Sequence, residues 1–361
     1  MPSHLPSPRV PDSRAAPSVR WGVLGTGWIA ERFATSLREH TRQVLQAVGS
    51  RSTEAASRGP ALHPTRQRHG SYEALVADPD VDVVYIATPH HLHLPHALLA
   101  IAAGKHVLVE KPVGLDAGEA RLIGAAAERA GVLCTEAMWT LFLPRYDVVR
   151  QLLDDGVLGD LRVVLADMGE WFDDAHRIMR PELAGGPLLD LGTYPVTLAT
   201  WVLGAPAGVA AVATPSGVTP SGVTAADGGV NGQLAMGLAT ASGATASLLC
   251  TMLTDTPTTA SIAGTQGRID LDGPFYRPGP VALRLRDGTE LLWDEPRVGH
   301  AALHFEAAEV ARRIAAGETG SPLRPWADTV ATLEVMDRVR AGVGIDFARA
   351  RAAREHEAAG S

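Results

Sequence analysis

The chain has 361 residues, 46% of them hydrophobic and 20% charged, with 32 Lys and Arg against 40 Asp and Glu for a formal net charge of −8. This is the composition of a globular protein, too apolar for a disordered chain and long enough for two domains. The acidic balance, with no long basic block, argues against a nucleic-acid surface, and no run approaches the roughly 20 apolar residues of a membrane helix.

Two cysteines, Cys134 and Cys250, are too few and too far apart for a disulfide framework or a zinc site. Cys134 sits in the apolar run Val132-Leu133-Cys134-Thr135 and reads as a buried thiol. Residues 1–19 carry Pro2, Pro6, Pro8, Pro11 and Pro17 among serines and arginines. They lack the apolar stretch of a secretory signal and predict a disordered tail on a cytoplasmic protein.

Over residues 20–138 short apolar runs alternate with helical patterns. Strands are predicted at 21–24, 44–49, 82–87, 106–109 and 132–135, with a first helix at 29–38. Such alternation implies a parallel sheet covered on both faces, the doubly wound α/β arrangement. The pattern changes over residues 139–347. A helix at 146–153 ends at Asp155-Gly156, a strand follows at 161–166, and a helix is predicted at 188–203. Strands then succeed one another at 233–239, 245–253, 258–263 and 281–286, before helices at 304–316 and 326–340. Successive strands with short turns such as Asp287-Gly288 predict a mainly antiparallel sheet in an α+β domain. The duplicated Pro-Ser-Gly-Val-Thr of residues 215–219 and 220–224 reads as a surface loop. Residues 348–361 are expected to be a second tail.

The turn Gly25-Thr26-Gly27-Trp28-Ile29-Ala30 joins the first strand to the first helix and fits G-x-G-x-x-G/A. Its first Gly permits a tight turn, its second lets backbone approach a pyrophosphate, and the helix N-terminus faces the anion. At the end of the second strand stands Gly49-Ser50-Arg51-Ser52, with no carboxylate for a ribose 2′-hydroxyl. A guanidinium flanked by Ser50 and Ser52 suits a 2′-phosphate, so NADP is expected ahead of NAD.

Glu110-Lys111-Pro112 closes a later strand at the face where open α/β sheets bind ligands. A lysine there can polarise a carbonyl or lower the pKa of a neighbouring hydroxyl. Asp190 and Tyr194 are spaced i, i+4, which puts both on one helical face. Near a lysine the tyrosine can exchange a proton with an alkoxide, and the aspartate can orient it or hold a substrate hydroxyl. A helix-terminal aspartate followed by a core tyrosine accounts for the same spacing. The run His90-His91-Leu92-His93-Leu94-Pro95-His96 lacks the carboxylate or cysteine that would complete a metal set, and it follows Ala87-Thr88-Pro89 at a strand end. A loop beside the cofactor is the reading, with no metal.

Taken together these residues resemble the glucose–fructose oxidoreductase/inositol dehydrogenase (Gfo/Idh/MocA) family. Thr88-Pro89-His90-His91-Leu92-His93 is similar to its T-P-x-x-x-H loop, and Glu110-Lys111-Pro112 to its E-K-P signature. Glu136-Ala137-Met138-Trp139-Thr140 and the segment from Gly185 to Tyr194 look most like the branch of dimeric dihydrodiol dehydrogenases and NADP-dependent xylose dehydrogenases. The resemblance implies a Rossmann domain followed by an α/β domain whose open sheet forms a subunit interface. A homodimer or homotetramer is therefore expected.

It also implies cofactor contacts from Gly25, Thr26, Gly27, Trp28, Ile29, Ser50, Arg51, Ser52, Thr88, Pro89, His90, His93, Glu110 and Lys111. Trp139 and Phe275 would line the substrate pocket. Lys111, Tyr194 and Asp190 would be catalytic, with Tyr194 standing where inositol-dehydrogenase-like members carry histidine. The expected activity is hydride transfer between NADP and a sugar, cyclic polyol or dihydrodiol carbon. A sensor of the same fold that does no chemistry is the competing reading, and it would be expected to lack Lys111 or Tyr194.

Overall fold

The structure is a computed structural model that describes residues 4–57, 59, 62, 64–222 and 229–359. Six strands form the first sheet: β1 (Arg20–Leu24), β2 (Val44–Gly49), β3 (Gln67–His69), β4 (Val83–Ile86), β5 (His106–Glu110) and β6 (Cys134–Ala137). All neighbours are parallel, in the order β3-β2-β1-β4-β5-β6. Helices α1 (Trp28–His40), α2 (Thr53–Ala56), α3 (Tyr72–Val76), α4 (His93–Ala102) and α5 (Ala117–Ala130) connect them. The strand runs are apolar on both sides because helices cover both faces; Val83 to Ile86 is buried at every position. Strand order reverses between β1 and β4, and a crevice opens there at the strands' carboxyl ends.

The second sheet has eight strands: β7 (Leu161–Gly169), β8 (Gly208–Ala213), β9 (Gln233–Ala239), β10 (Thr245–Thr251), β11 (Ala260–Gly264), β12 (Gly267–Leu271), β13 (Val281–Leu285) and β14 (Glu290–Trp293). Their order is β14-β13-β12-β11-β7-β10-β9-β8, antiparallel except for the β10–β7 pair. Helices α6 (Pro144–Asp154), α7 (Thr193–Leu203), α8 (His304–Ala315) and α9 (Trp326–Val343) belong to the same half of the chain. Helices α7 and α9 pack on one face of this sheet.

The opposite face is open. A single register row crosses all eight strands through Ala210, Gly237, Ser247, Leu165, Ser261, Asp270, Ala282 and Leu292. Leu165 and Leu292 in that row are 49% and 69% exposed, and nearby Val212 is 73% exposed. Both expected sheets are present, and β3, β8, β12 and β14 are additions to the predicted strands.

Two expectations are corrected. Residues 4–19 are not a loose tail: Arg9 grips Asp147 through its backbone N–H (2.6 Å) and its guanidinium (2.9 Å). Leu5 and Val19 are buried, and the Val19 N–H donates to Gln43 Oε1 at 3.0 Å. The C-terminal segment is a helix, α10 (Ala348–Ala359), tied to α5 by Arg351–Asp116 and by Arg354–Glu119 at 2.8 Å. Spaced cations on one face of α10, meeting acids in the first turn of α5, account for its order. The first copy of the duplicated pentapeptide lies in the loop after β8, and the second runs into residues outside those described.

Arg145, at the start of α6, is fully buried, and among the described residues its guanidinium pairs with no carboxylate and donates to five backbone carbonyls. These are Asp272 (3.2 Å), Pro274 (3.3 Å), Phe275 (3.1 Å), Arg277 (2.7 Å) and Pro280 (2.7 Å). One cation thus fixes the loop between β12 and β13. Beside it, buried Glu295 accepts from the Gly279 N–H at 3.2 Å. Burial pushes the Glu295 carboxyl up to about 7, against the pull of that hydrogen bond and of Arg145.

A carboxyl that binds its proton more tightly in the folded state gives its full stability at low pH and loses it as pH rises towards the folded value. Glu295 should therefore make the protein less stable as pH rises from about 4.5 to about 7, by up to roughly 3 kcal/mol, with no further change above that range. Glu295→Gln should flatten this decline. Urea denaturation of both proteins at pH 5 and pH 8 reads the difference, and parallel pH dependences would show that Glu295 is not its source.

Candidate active site

The crevice at the ends of β1, β2, β4 and β5 continues into a cleft of about 850 Å³ shared by the two halves of the chain. From the first half come the Gly25–Ile29 turn, Ser50, Arg51, Thr88, Pro89, His90, His93, Glu110 and Lys111. From the second come Trp139, Glu170, Phe172, His176, Arg177, Asp190, Tyr194, Tyr276, Arg277 and His300. Glu357 of α10 also borders it and faces His91 at 3.6 Å.

The turn after β1 has the form a dinucleotide needs. Gly25 has φ +98°, and a Cβ there would lie 2.7 Å from the Ala87 carbonyl oxygen, so only glycine fits. A Cβ at Gly27 would meet nothing within 4 Å, and Gly27 caps α1 without any side-chain acceptor. The first N–H groups of α1 are therefore left for an anion at the helix's positive end. These features fit a nicotinamide dinucleotide, with its pyrophosphate over Gly25–Ile29.

Lys111 follows directly on β5, and its peptide bond to Pro112 is cis. Its Nζ donates to the Asp190 backbone carbonyl at 2.9 Å and lies 3.6 Å from Asp190 Oδ1. It also stands 4.8 Å from the centroid of the Tyr194 ring, so it meets the ring face and not the hydroxyl. Asp190 lies in a π-turn (Leu188–Gly192) that leads directly into α7, where one continuous α-helix was predicted. Burial works against its charge, but Arg177 at 2.9 Å, Lys111 and His90 hold its carboxyl well below the usual range.

The Tyr194 hydroxyl accepts from Trp139 Nε1 at 3.1 Å. Burial raises its pKa well above the ordinary tyrosine value, with Tyr276 and Glu110 adding to the rise. The phenol is accordingly protonated at neutral pH. Glu110, behind Lys111, accepts from the Tyr85 hydroxyl and from the Lys111 N–H (3.0 Å), and burial raises its pKa.

The histidines brace the wall. His93 has Nδ1 2.8 Å from the Pro112 carbonyl and Nε2 2.8 Å from the Thr88 carbonyl, joining the loops after β4 and β5. Burial lowers it to about 4, so the neutral ring donates to one carbonyl at a time. Burial likewise depresses His90, which stands 3.8 Å from Asp190. Among the described residues no group of three His, Cys, Asp or Glu is placed to hold a metal.

Two expected contacts lie elsewhere. Ser52 caps α2 by accepting from the Ala55 N–H at 3.1 Å and does not line the cleft. Phe275 is completely buried, and its neighbour Tyr276 takes the place on the cleft wall. Tyr276 packs 4.4 Å from Tyr194, ring centroid to ring centroid. His300 stacks on Trp139 at 5.1 Å and meets Trp28 edge-on at 4.7 Å. Tyr276, Arg177, Arg277 and His300 were not singled out in the sequence. Aromatic and cationic residues beside the Phe275 position were the only available signal; Arg177 and His300 lie in irregular segments with none.

A dinucleotide crevice that faces a lysine and a buried tyrosine defines an NAD(P)-binding oxidoreductase. Residues 19–138 match the model of an oxidoreductase family with an NAD-binding Rossmann fold, and residues 146–270 match the GFO/IDH/MocA C-terminal domain. The chain belongs to the Gfo/Idh/MocA family, as the E-K-P and T-P-x-x-x-H segments suggested. It is 34% identical over 348 residues to the trans-1,2-dihydrobenzene-1,2-diol dehydrogenase of Mus musculus, covering 91% of this chain and 98% of the relative. The enzyme of that name from Bos taurus is 32% identical over 341 residues, with the same coverage. Among solved structures, KijD10, a 3-ketoreductase from Actinomadura kijaniata in complex with NADP and TDP-benzene, has a TM-score of 0.76 at 27% identity. The match covers 90% of this chain and 98% of that one. A levoglucosan dehydrogenase in complex with NADH and levoglucosan has a TM-score of 0.78 at 19% identity over 91% and 97% of the two chains, a likeness of fold.

Proposed function

We propose that the protein is an NADP-dependent dehydrogenase or reductase acting on the CH–OH carbon of a sugar, cyclic polyol or dihydrodiol. The observation that carries this reading is the Tyr194 hydroxyl, held by Trp139 Nε1 in the same cleft as Lys111. When bound, the nicotinamide supplies or accepts the hydride. Tyr194 exchanges the proton at the substrate oxygen, through Oη. Lys111 adds positive charge beside the ring and stays in place through the Asp190 carbonyl. Asp190 balances Lys111 and Arg177 and stands beside neutral His90, and by doing so positions them; it shares no hydrogen bond with the Tyr194 hydroxyl. Trp139 and Tyr276 form the substrate wall. Both Lys111 and Tyr194 border the cleft, which favours catalysis over a sensor that does no chemistry.

Preference for NADP is supported by Ser50 and Arg51, which line the cleft at the end of β2 where NAD-specific proteins carry a carboxylate. The relatives bind either cofactor by name, as KijD10 with NADP and levoglucosan dehydrogenase with NADH illustrate. A homodimer through the second sheet is supported by its open face, where Leu165, Val212 and Leu292 stand exposed among small residues.

General acid–base groups contribute roughly 10²–10⁴-fold. Tyr194→Phe and Lys111→Ala should each lower kcat by about that factor, with NADP affinity little changed for Tyr194→Phe. The double variant should be less impaired than the product of the singles, because the two would act as one unit. Near-normal turnover by Tyr194→Phe in a steady-state assay would remove Tyr194 as the proton donor. Arg51→Asp should weaken NADP binding by about 1–3 kcal/mol and NAD far less. Fluorescence titration with both cofactors measures this, and equal losses would show that Arg51 does not read the 2′-phosphate. Light scattering at micromolar concentration should give twice or four times the chain mass; the mass of one chain would rule out the sheet-face dimer.

A further inference from the structure

Four cations line the cleft: Arg51, Lys111, Arg177 and Arg277. Three have work described above. Arg51 stands at the end of β2, and Lys111 and Arg177 both converge on Asp190 at 3.6 and 2.9 Å. Arg277 differs. Among the described residues it makes no ion pair, and its Nε is buried without a hydrogen-bond acceptor. Nε of Arg145, Arg150 and Arg340 is in the same state, and Arg277 also makes a side-chain hydrogen bond to Tyr276, so what sets Arg277 apart is its place on the cleft wall with no carboxylate paired to it among the described residues.

The side chain is nonetheless held in place. Its guanidinium carbon sits 5.0 Å from the centroid of the Tyr276 ring, a cation–π distance. Its backbone carbonyl accepts from buried Arg145 at 2.7 Å, and its N–H donates to the Pro274 carbonyl at 3.0 Å. Tyr276 in turn lies 4.4 Å from the Tyr194 ring. A planar positive fork is thus fixed on the substrate wall, one aromatic ring beyond the residue that exchanges the proton. Glu170 borders the same cleft and does not pair with it.

We infer that Arg277 reads an anionic group on the substrate, so that the preferred substrate is a sugar or polyol bearing a carboxylate or a phosphate. A guanidinium of fixed plane offers paired N–H donors to either oxyanion, whereas a neutral sugar would leave its charge unanswered. The reading rests on the oxidoreductase assignment and adds a substrate class to it.

Two measurements on the full-length protein loaded with NADP test the inference. In the first, calorimetric titration with glucose, gluconate and glucose 6-phosphate reads binding whether or not turnover follows. An anionic ligand should bind at least about tenfold more tightly than glucose, and Arg277→Met should lower the anion's affinity by about 10- to 100-fold. Arg277→Lys, which keeps the charge but not the fork, should fall between, and circular dichroism confirms that both variants fold. The stronger of the two anions identifies carboxylate or phosphate as the group read.

In the second, turnover is followed over matched neutral, acidic and phosphorylated sugars and polyols. The ratio of kcat/KM for anionic over neutral members should collapse in Arg277→Met, mainly through KM. Equal binding of glucose and both anions by the unsubstituted protein, or an Arg277→Met affinity loss common to all three, overturns the inference. Arginine-dependent anion binding with no turnover of any substrate by either cofactor leaves Arg277 as the anion reader and overturns the oxidoreductase reading instead.

Discussion

The site depends on one contact between the two halves of the chain: Lys111 Nζ on the carbonyl of Asp190, 2.9 Å away. Lys111 follows directly on a buried parallel strand, and Asp190 belongs to the π-turn that launches α7. Neither residue could hold this position alone. A lysine at a strand end has four rotatable bonds, and a buried carboxylate without cations would give up its charge. Together they fix each other, and with Arg177 and His90 they form a compact charge cluster under the substrate end of the cleft. Tyr194 stands one turn further along, directly over the lysine. The Tyr194 hydroxyl, the proposed proton donor, therefore takes its position from an ion cluster with which it shares no hydrogen bond.

The other wall is rigid for a different reason. Arg145 is fully buried and uses only backbone carbonyls as partners, so it acts as a peg for the loop that carries Tyr276 and Arg277. The aromatic side chains then run continuously from the cofactor turn to the proton site. Trp28 meets His300, His300 stacks on Trp139, and the Trp139 N–H reaches the Tyr194 hydroxyl. Trp28 is part of the glycine-rich turn and is largely exposed. A dinucleotide lying on that turn would touch the first member of this series, whose last member is Tyr194.

Five strands of the first sheet were legible because they are buried on both faces, and a short uninterrupted apolar run bounded by turn residues fits little besides a buried strand; the polar edge strand β3 was not. The second sheet is half open, and three of its strands escaped notice for that reason. Gly208–Ala213 is all small residues, and Gly267–Leu271 and Glu290–Trp293 alternate apolar with charged or exposed positions over only a few residues. Lys111, Asp190 and Tyr194 could be selected because the strand end and the i, i+4 spacing survive in one dimension. The substrate wall could not. Whether Phe275 or Tyr276 faces the cleft is a one-residue parity, decided by where Arg145 pins the loop, and that contact joins residues more than a hundred positions apart. The chain ends were misjudged on composition. Proline and charge density suggested disorder, but Arg9 and Arg354 each meet an acid on a folded helix.

The protonation states that follow from these surroundings converge on the chemistry. Burial keeps the Tyr194 phenol protonated, and it keeps His90, His93 and His300 neutral. The same effect raises Glu110, and it raises Glu306 far more: that carboxyl is completely buried, neither oxygen has a hydrogen-bond partner, and Glu110 adds to the rise. A neutral Glu306 puts no second negative charge beside Glu110. Asp190 keeps its charge because three cationic or dipolar partners surround it. The cleft therefore presents a protonated hydroxyl whose ring faces a lysine that Asp190 accompanies at 3.6 Å. In the proposed reaction, an oxygen that gains electron density would draw its proton from Tyr194, with Lys111 facing the ring of the phenolate left behind.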